Sequence, residues 1–270
     1  MNQGTVLVLG LVPVVLLASS PAHSQSVAIG GRLYDEWWAQ VGVDAPAGNQ
    51  ALWASQSTNT RSGAVTWRCK ECHGWDYKGV AGAYGSGSHR TGFPGVLDAG
   101  TRLSEAELTA WLDGTANPDH DFSAMGTDQL PHLARFLKQG LVDMAPLIDA
   151  GTKGAVGGEG SRGQQLYQGS CAITVCHGAD GTAVNFSGDP ADPEFVGTVA
   201  KDNPWEFIHK VRVGQPGSNP PMPAGADMGW SMQDVVDLLT YSQTLPTATA
   251  ETAVGSSAWG LVKAALIHDE

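Results

Sequence analysis

The feature that most constrains this 270-residue chain is the placement of its four cysteines. They fall as two pairs, each closed by a histidine: Cys69-Lys70-Glu71-Cys72-His73 and Cys171-Ala172-Ile173-Thr174-Val175-Cys176-His177. Two residues separate the thiols of the first pair and four separate those of the second. With 35 glycines and 15 prolines, much of the chain must be turns and loops. A loop-rich chain with two such clusters calls for something large at each cluster to complete a core.

Cys-x-x-Cys-His is the attachment signature of c-type haem. Thiols three positions apart reach the two vinyl groups of one porphyrin, and the adjacent imidazole reaches the iron as proximal ligand. Cys69 and Cys72 are therefore the expected thioether positions and His73 the expected iron ligand. A zinc half-site would want two further ligands nearby. A redox dithiol would want a thioredoxin-like strand–helix setting. Cys171, Cys176 and His177 repeat the arrangement with a longer loop, which must bulge for both sulfurs to reach. A Cys171–Cys176 disulfide, or attachment through Cys176 alone, are the other readings of this cluster. The nine tryptophans suit packing against a macrocycle, and equally an ordinary core.

Residues 1–24 read as an export signal. Val6 to Ala18 is almost wholly apolar yet short for a membrane span, and Ala22-His23-Ser24 offers small residues for cleavage. An uncleaved anchor is the alternative, because no Lys or Arg precedes the apolar run. With the signal removed, no membrane span is expected, and the protein is placed in the periplasm or otherwise outside the cytoplasm. The formal net charge of -12 and the lack of a basic patch exclude nucleic acid as a partner and favour a basic docking surface.

The pattern predicts a short amphipathic helix over Ile29–Gln40, a helix over Ser104–Leu112 with Ser104 and Glu107 as a capping box, and another over about Thr127–Lys138. Residues 25–150 form the expected first domain, with residues 151–162 as a Gly-rich linker. Residues 163–247 form the second domain, with a helix from Asn203-Pro204 to Gly214 and a capped helix after Ser231. A tail follows over 248–270, in which Trp259 to Ile267 reads as a docking helix. Arg68, Lys70 and Lys78 make a small positive patch, expected to be mostly solvated. His89, His132, His209 and His268 lie outside any cluster.

The runs GQQLYQGSCAITVCHGADGT (163–182) and NPPMPAGADMGWSMQDVVDLLTYSQTLP (219–246) resemble class I cytochrome c, and the whole chain resembles a tandem di-haem cytochrome c. That resemblance implies a mostly α, loop-rich fold of two cytochrome c-like domains around two covalent haem c groups. It further implies a methionine as sixth iron ligand on a loop after each motif. Met222, followed by Pro223, matches in the second half, with Met228 as runner-up. In the first half the implied ligand is Met125, in HDFSAMGTDQL, with His120 as the alternative. The implied role is electron transfer between redox partners in a respiratory or periplasmic oxidation chain. The alternative is a di-haem enzyme of thiosulfate dehydrogenase or peroxidase type, with one haem as catalytic site.

Overall fold

Helix α1 (Pro21–Val41) is the longest element and runs through the expected cleavage point after Ser24. The structure, a computed structural model, describes residues 21–248. Most of the expected signal segment and the expected docking helix over Trp259 to Ile267 lie outside the described residues. Within them the chain is helical and loop-rich, as the resemblance implies, and no strand forms.

Further helices follow: α2 (Cys69–His73), α3 (Ala99–Arg102), α4 (Glu105–Leu112), α5 (Leu130–Arg135), α6 (Gly160–Ser170), α7 (Val196–Asp202), α8 (Pro204–Val213) and α9 (Met232–Ser242). The capping box ahead of α4 forms as expected. Ser104 Oγ accepts from the Glu107 amide at 3.3 Å, and Glu107 Oε2 accepts from the Ser104 amide at 2.8 Å. Asn203 caps α8, Pro204 opens it, and Gly214 at φ 86° ends it. Helix α5 continues as a π turn over Phe136–Gly140. Helix α7 has seven residues, too few for a periodic signal, and the sequence pattern does not announce it.

Helix α1 touches elements from both halves of the chain. Neighbouring residues on a helix point about 100° apart, so Gly30 and Gly31 face different partners. A Cβ on Gly30 would stand 2.1 Å from the His132 carbonyl oxygen in α5, and one on Gly31 would stand 2.4 Å from Val213 Cγ1 in α8. Bare backbone at both positions lets one helix seat against the two halves at once. Near its end α1 breaks at Glu36 (φ -150°, ψ 84°), where Arg68 Nε donates to the Asp35 carbonyl at 2.9 Å.

The segment expected as a linker is bonded in place. Asp149 turns the chain by accepting from the Thr152 and Gly151 amides. Gln243 beyond α9 then holds the Ala155 amide and the Lys153 carbonyl. Helix α6 begins inside that segment and crosses α9 closely: a Cβ on Gly163 would lie 1.9 Å from the Asp237 carbonyl oxygen. Tyr167 and Tyr241 meet beside this crossing, with ring centroids 5.5 Å apart. Because the obstacle at Gly163 is backbone, Gly163→Val must push the helices apart. Urea unfolding should register a loss of about 3 kcal/mol, the upper end of overpacking costs. An unchanged midpoint would show the crossing to be soft.

Candidate functional site

The first cluster sits on α2, a single helical turn, which puts Cys69 and Cys72 (i, i+3) on one side. Cys69, Cys72 and His73 line a cavity of about 430 Å³ whose walls include Leu103, Leu108, Leu112, Phe122 and Leu133. That volume lies within the range of about 300–1,000 Å³ usual for cofactor sites. His73 Nδ1 lies 2.7 Å from the Pro94 carbonyl oxygen. A carbonyl can only accept, so Nδ1 carries the proton and Nε2 keeps its lone pair. Burial lowers the His73 pKa to about 4, which keeps the ring neutral and fit to ligate.

Burial also raises both thiols, Cys69 to about 12. A reactive dithiol needs the opposite shift, so the redox-dithiol reading loses its physical basis. No group of three or more His, Cys, Asp or Glu residues among the described residues could hold a bare metal ion, which leaves the zinc reading without its further ligands. A large apolar cavity with two thiols and one anchored imidazole at its edge fits a covalent porphyrin.

His120 lines the same cavity and Met125 does not. Met125 is 1 % exposed and belongs to the apolar core. The expectation of Met125 on the iron face therefore meets a side chain turned into packing, while its alternative, His120, stands at the cavity.

In the second cluster Cys171 ends α6, and residues 171–178 form turns rather than a helix. Within the longer loop, Ile173 is 57 % and Val175 70 % exposed. Two adjoining cavities of about 320 and 160 Å³ share Cys171, His177, Val211, Met222 and Leu238 as walls. Cys176 lines the smaller one, as does Met228. The two sulfurs are not bonded to each other. His177 Nδ1 is buried without a hydrogen-bond partner, and burial lowers the ring's pKa. A half-buried neutral imidazole beside two thiols, with Met222 on the same cleft, fits a second porphyrin ligated by nitrogen and sulfur. Here the proximal ring lacks the carbonyl anchor that His73 has.

Arg68 lines both the first cavity and the larger of the second pair. It is not a solvated surface charge. Asp35, fully buried on α1, accepts from Arg68 Nη2 on one oxygen and from Lys210 Nζ of α8 on the other. Trp75 lies among Arg68, Lys70 and Lys210, whose charged ends stand 5.9, 5.3 and 5.4 Å from its ring. Lys70 is buried against Glu71 at 2.9 Å, and Lys78 meets Asp143 at 2.7 Å. The expected positive patch is thus three paired charges, two of them interior. This Asp35 cluster escaped the sequence reading. Its one trace was a carboxylate at the position between Gly31 and Trp38, on the apolar face of α1.

His209, given no weight from sequence, is a structural bridge. Its Nε2 donates to the Gly31 carbonyl at 3.0 Å and its Nδ1 accepts from Tyr77 Oη at 2.8 Å. Burial lowers its pKa to about 3, so it stays neutral.

One comparison with known proteins bears on the second cluster. The family model described as cytochrome C oxidase, cbb3-type, subunit III matches residues 158–241. No curated protein and no solved structure matches the chain. No helix among the described residues is long and apolar enough to cross a membrane. The match supports a c-type cytochrome domain over residues 158–241, a kind of domain that carries covalent haem and exchanges electrons with redox partners.

Proposed function

We propose that the chain is an exported di-haem c-type cytochrome that passes electrons between redox partners. One haem is held by Cys69, Cys72 and His73, the other by Cys171, Cys176 and His177. The observation that carries the count of two haems lies outside the matched residues 158–241. There, at the first cluster, two thiols and an imidazole fixed by Pro94 edge an apolar cavity of about 430 Å³.

Covalent haem supplies an iron that takes up and releases one electron without bond chemistry at the metal. The chain's own residues do the rest. His73 and His177 stay neutral and hold their lone pairs for iron. Met222 reaches the second cleft with a soft thioether, which favours the ferrous state and raises the potential. Its loop is fixed where the Ser218 hydroxyl accepts from the Met222 amide at 2.9 Å. Mostly apolar walls keep water from the first cavity, charged Glu36, Glu194, Glu206 and Lys210 stand along the larger second one, and Arg68 lines both. The net charge of -12 suits transient docking to a basic partner surface, with a rate that falls as salt rises.

A reductive titration of the haem-loaded protein should take up two electrons per chain. Carbon monoxide should scarcely bind, since a carrier keeps its irons closed. Met222→Ala should then admit one equivalent of carbon monoxide per chain. Uptake of a single electron, or a Met222→Ala protein as closed as the parent, would contradict this reading.

A further inference from the structure

The first cavity has a second imidazole. His120 lines it together with His73, and the ring centroids of the two are 6.3 Å apart, with the planes at 61°. Two imidazoles bonded to one metal from opposite sides stand about 6 Å apart centre to centre, because each metal–nitrogen bond is about 2 Å and each nitrogen lies about 1 Å from its ring centre. The observed spacing is the one that leaves room for a single metal ion between the rings.

Both rings are also in the same protonation pattern. His120 Nδ1 lies 2.8 Å from the Trp111 carbonyl oxygen, just as His73 Nδ1 lies 2.7 Å from that of Pro94. Each ring therefore donates from Nδ1, which leaves Nε2 as the nitrogen available to a metal. Metal-ligating histidines almost always donate their other nitrogen in this way.

The loop that carries His120 is held in place from several directions. A bridge pairs Asp113 with Asp121 at its neck, and the Phe122 amide donates to the Leu112 carbonyl at 2.8 Å. Asn117 accepts from the Asp119 amide at 3.1 Å, and the buried Gln50 side chain donates to the Asp119 carbonyl at 2.5 Å. The Phe122 ring packs on His120 with centroids 4.9 Å apart. A histidine that merely faced solvent would need none of this.

We infer that His120, not Met125, is the sixth ligand of the first haem, so that this iron is held between two histidines while the second is held between His177 and Met222. The inference rests on the di-haem reading above. Met125 is then a core residue that supports the loop from below. Two nitrogen ligands stabilise ferric iron relative to a nitrogen–sulfur pair, so the first haem is the lower-potential centre of the two. Electrons arriving at the first haem run downhill to the second, which gives the molecule a direction.

Ferrous protein, confirmed by mass to carry two haems, is titrated with carbon monoxide. The parent and Met125→Leu should bind none, and His120→Ala should bind one equivalent per chain. Added imidazole should compete that equivalent away. His120→Met, which keeps a ligand in place, should stay closed and shift the lower of the two midpoint potentials upward. One equivalent bound by Met125→Leu, or none by His120→Ala, would overturn the assignment. So would a parent whose first iron is already open. A chain with a single haem by mass would fail the di-haem reading instead, before any ligand is tested.

Discussion

Replacing Cys69 and Cys72 together by alanine is expected to unfold the first half of the chain rather than simply to bleach it. The reason is volume. If the first site holds a porphyrin as proposed, its loss leaves a mostly apolar cavity of about 430 Å³ that opens to solvent on one side. At about 24 cal/mol per Å³, a void of that size would cost on the order of 10 kcal/mol if it stayed dry and uncollapsed. Whole domains are stable by only about 5–15 kcal/mol. Collapse is the available relief, and it must tear α4 and α5 from the positions that line the cavity. Hydrogen exchange on the double variant should show protection lost over residues 99–140 and kept over the α6–α9 crossing. Native protection in the first half without haem would show that the cavity is not the haem's place.

The second large effect is expected at Asp35. Burial alone would raise its carboxyl pKa, but Lys210 and Arg68 outweigh burial and hold it well below the usual carboxylate range. Asp35→Ala leaves Lys210 part-buried without its carboxylate and Arg68 with only the longer contact to Glu36 at 3.8 Å. Breaking a buried pair in this way costs about 3–5 kcal/mol. The pH dependence follows from the direction of the shift. A lowered carboxyl contributes fully above its unfolded pKa of about 4 and loses that contribution as pH falls toward the folded value. Asp35→Asn should therefore be much less stable than the parent at pH 7, and the gap should narrow steadily below pH 4. A gap that held constant with pH would mean that the carboxylate's charge does not carry the stability. Lys210→Met combined with Asp35→Leu should cost less than the two changes added, because the pair is then removed together.

How much of this was legible in the sequence depends on the range of the interaction. The two motifs, the capping boxes at Ser104 and Ser231, and the Pro204–Gly214 helix are local signals, and the structure carries each of those elements. Interactions between residues far apart in sequence left little trace. Asp35, Arg68 and Lys210 span 175 residues, so a cluster that buries all three has no local pattern. The same holds for Gly30 and Gly31, whose partners lie in different halves. The inference that favours His120 over Met125 rests on which of them lines the cavity, and two residues on one short loop cannot be told apart by spacing. Lys70 and Arg68 looked like surface charge because nothing nearby announced Glu71 and Asp35 as interior partners.

The most direct measurement is the intact mass of the protein, produced with haem-attachment machinery, under denaturing conditions, taken beside its pyridine haemochrome spectrum. Porphyrin held through sulfur at both clusters predicts the polypeptide plus two haems, each surviving denaturation. The polypeptide plus one haem, with Cys69 and Cys72 recovered as free thiols, would contradict it.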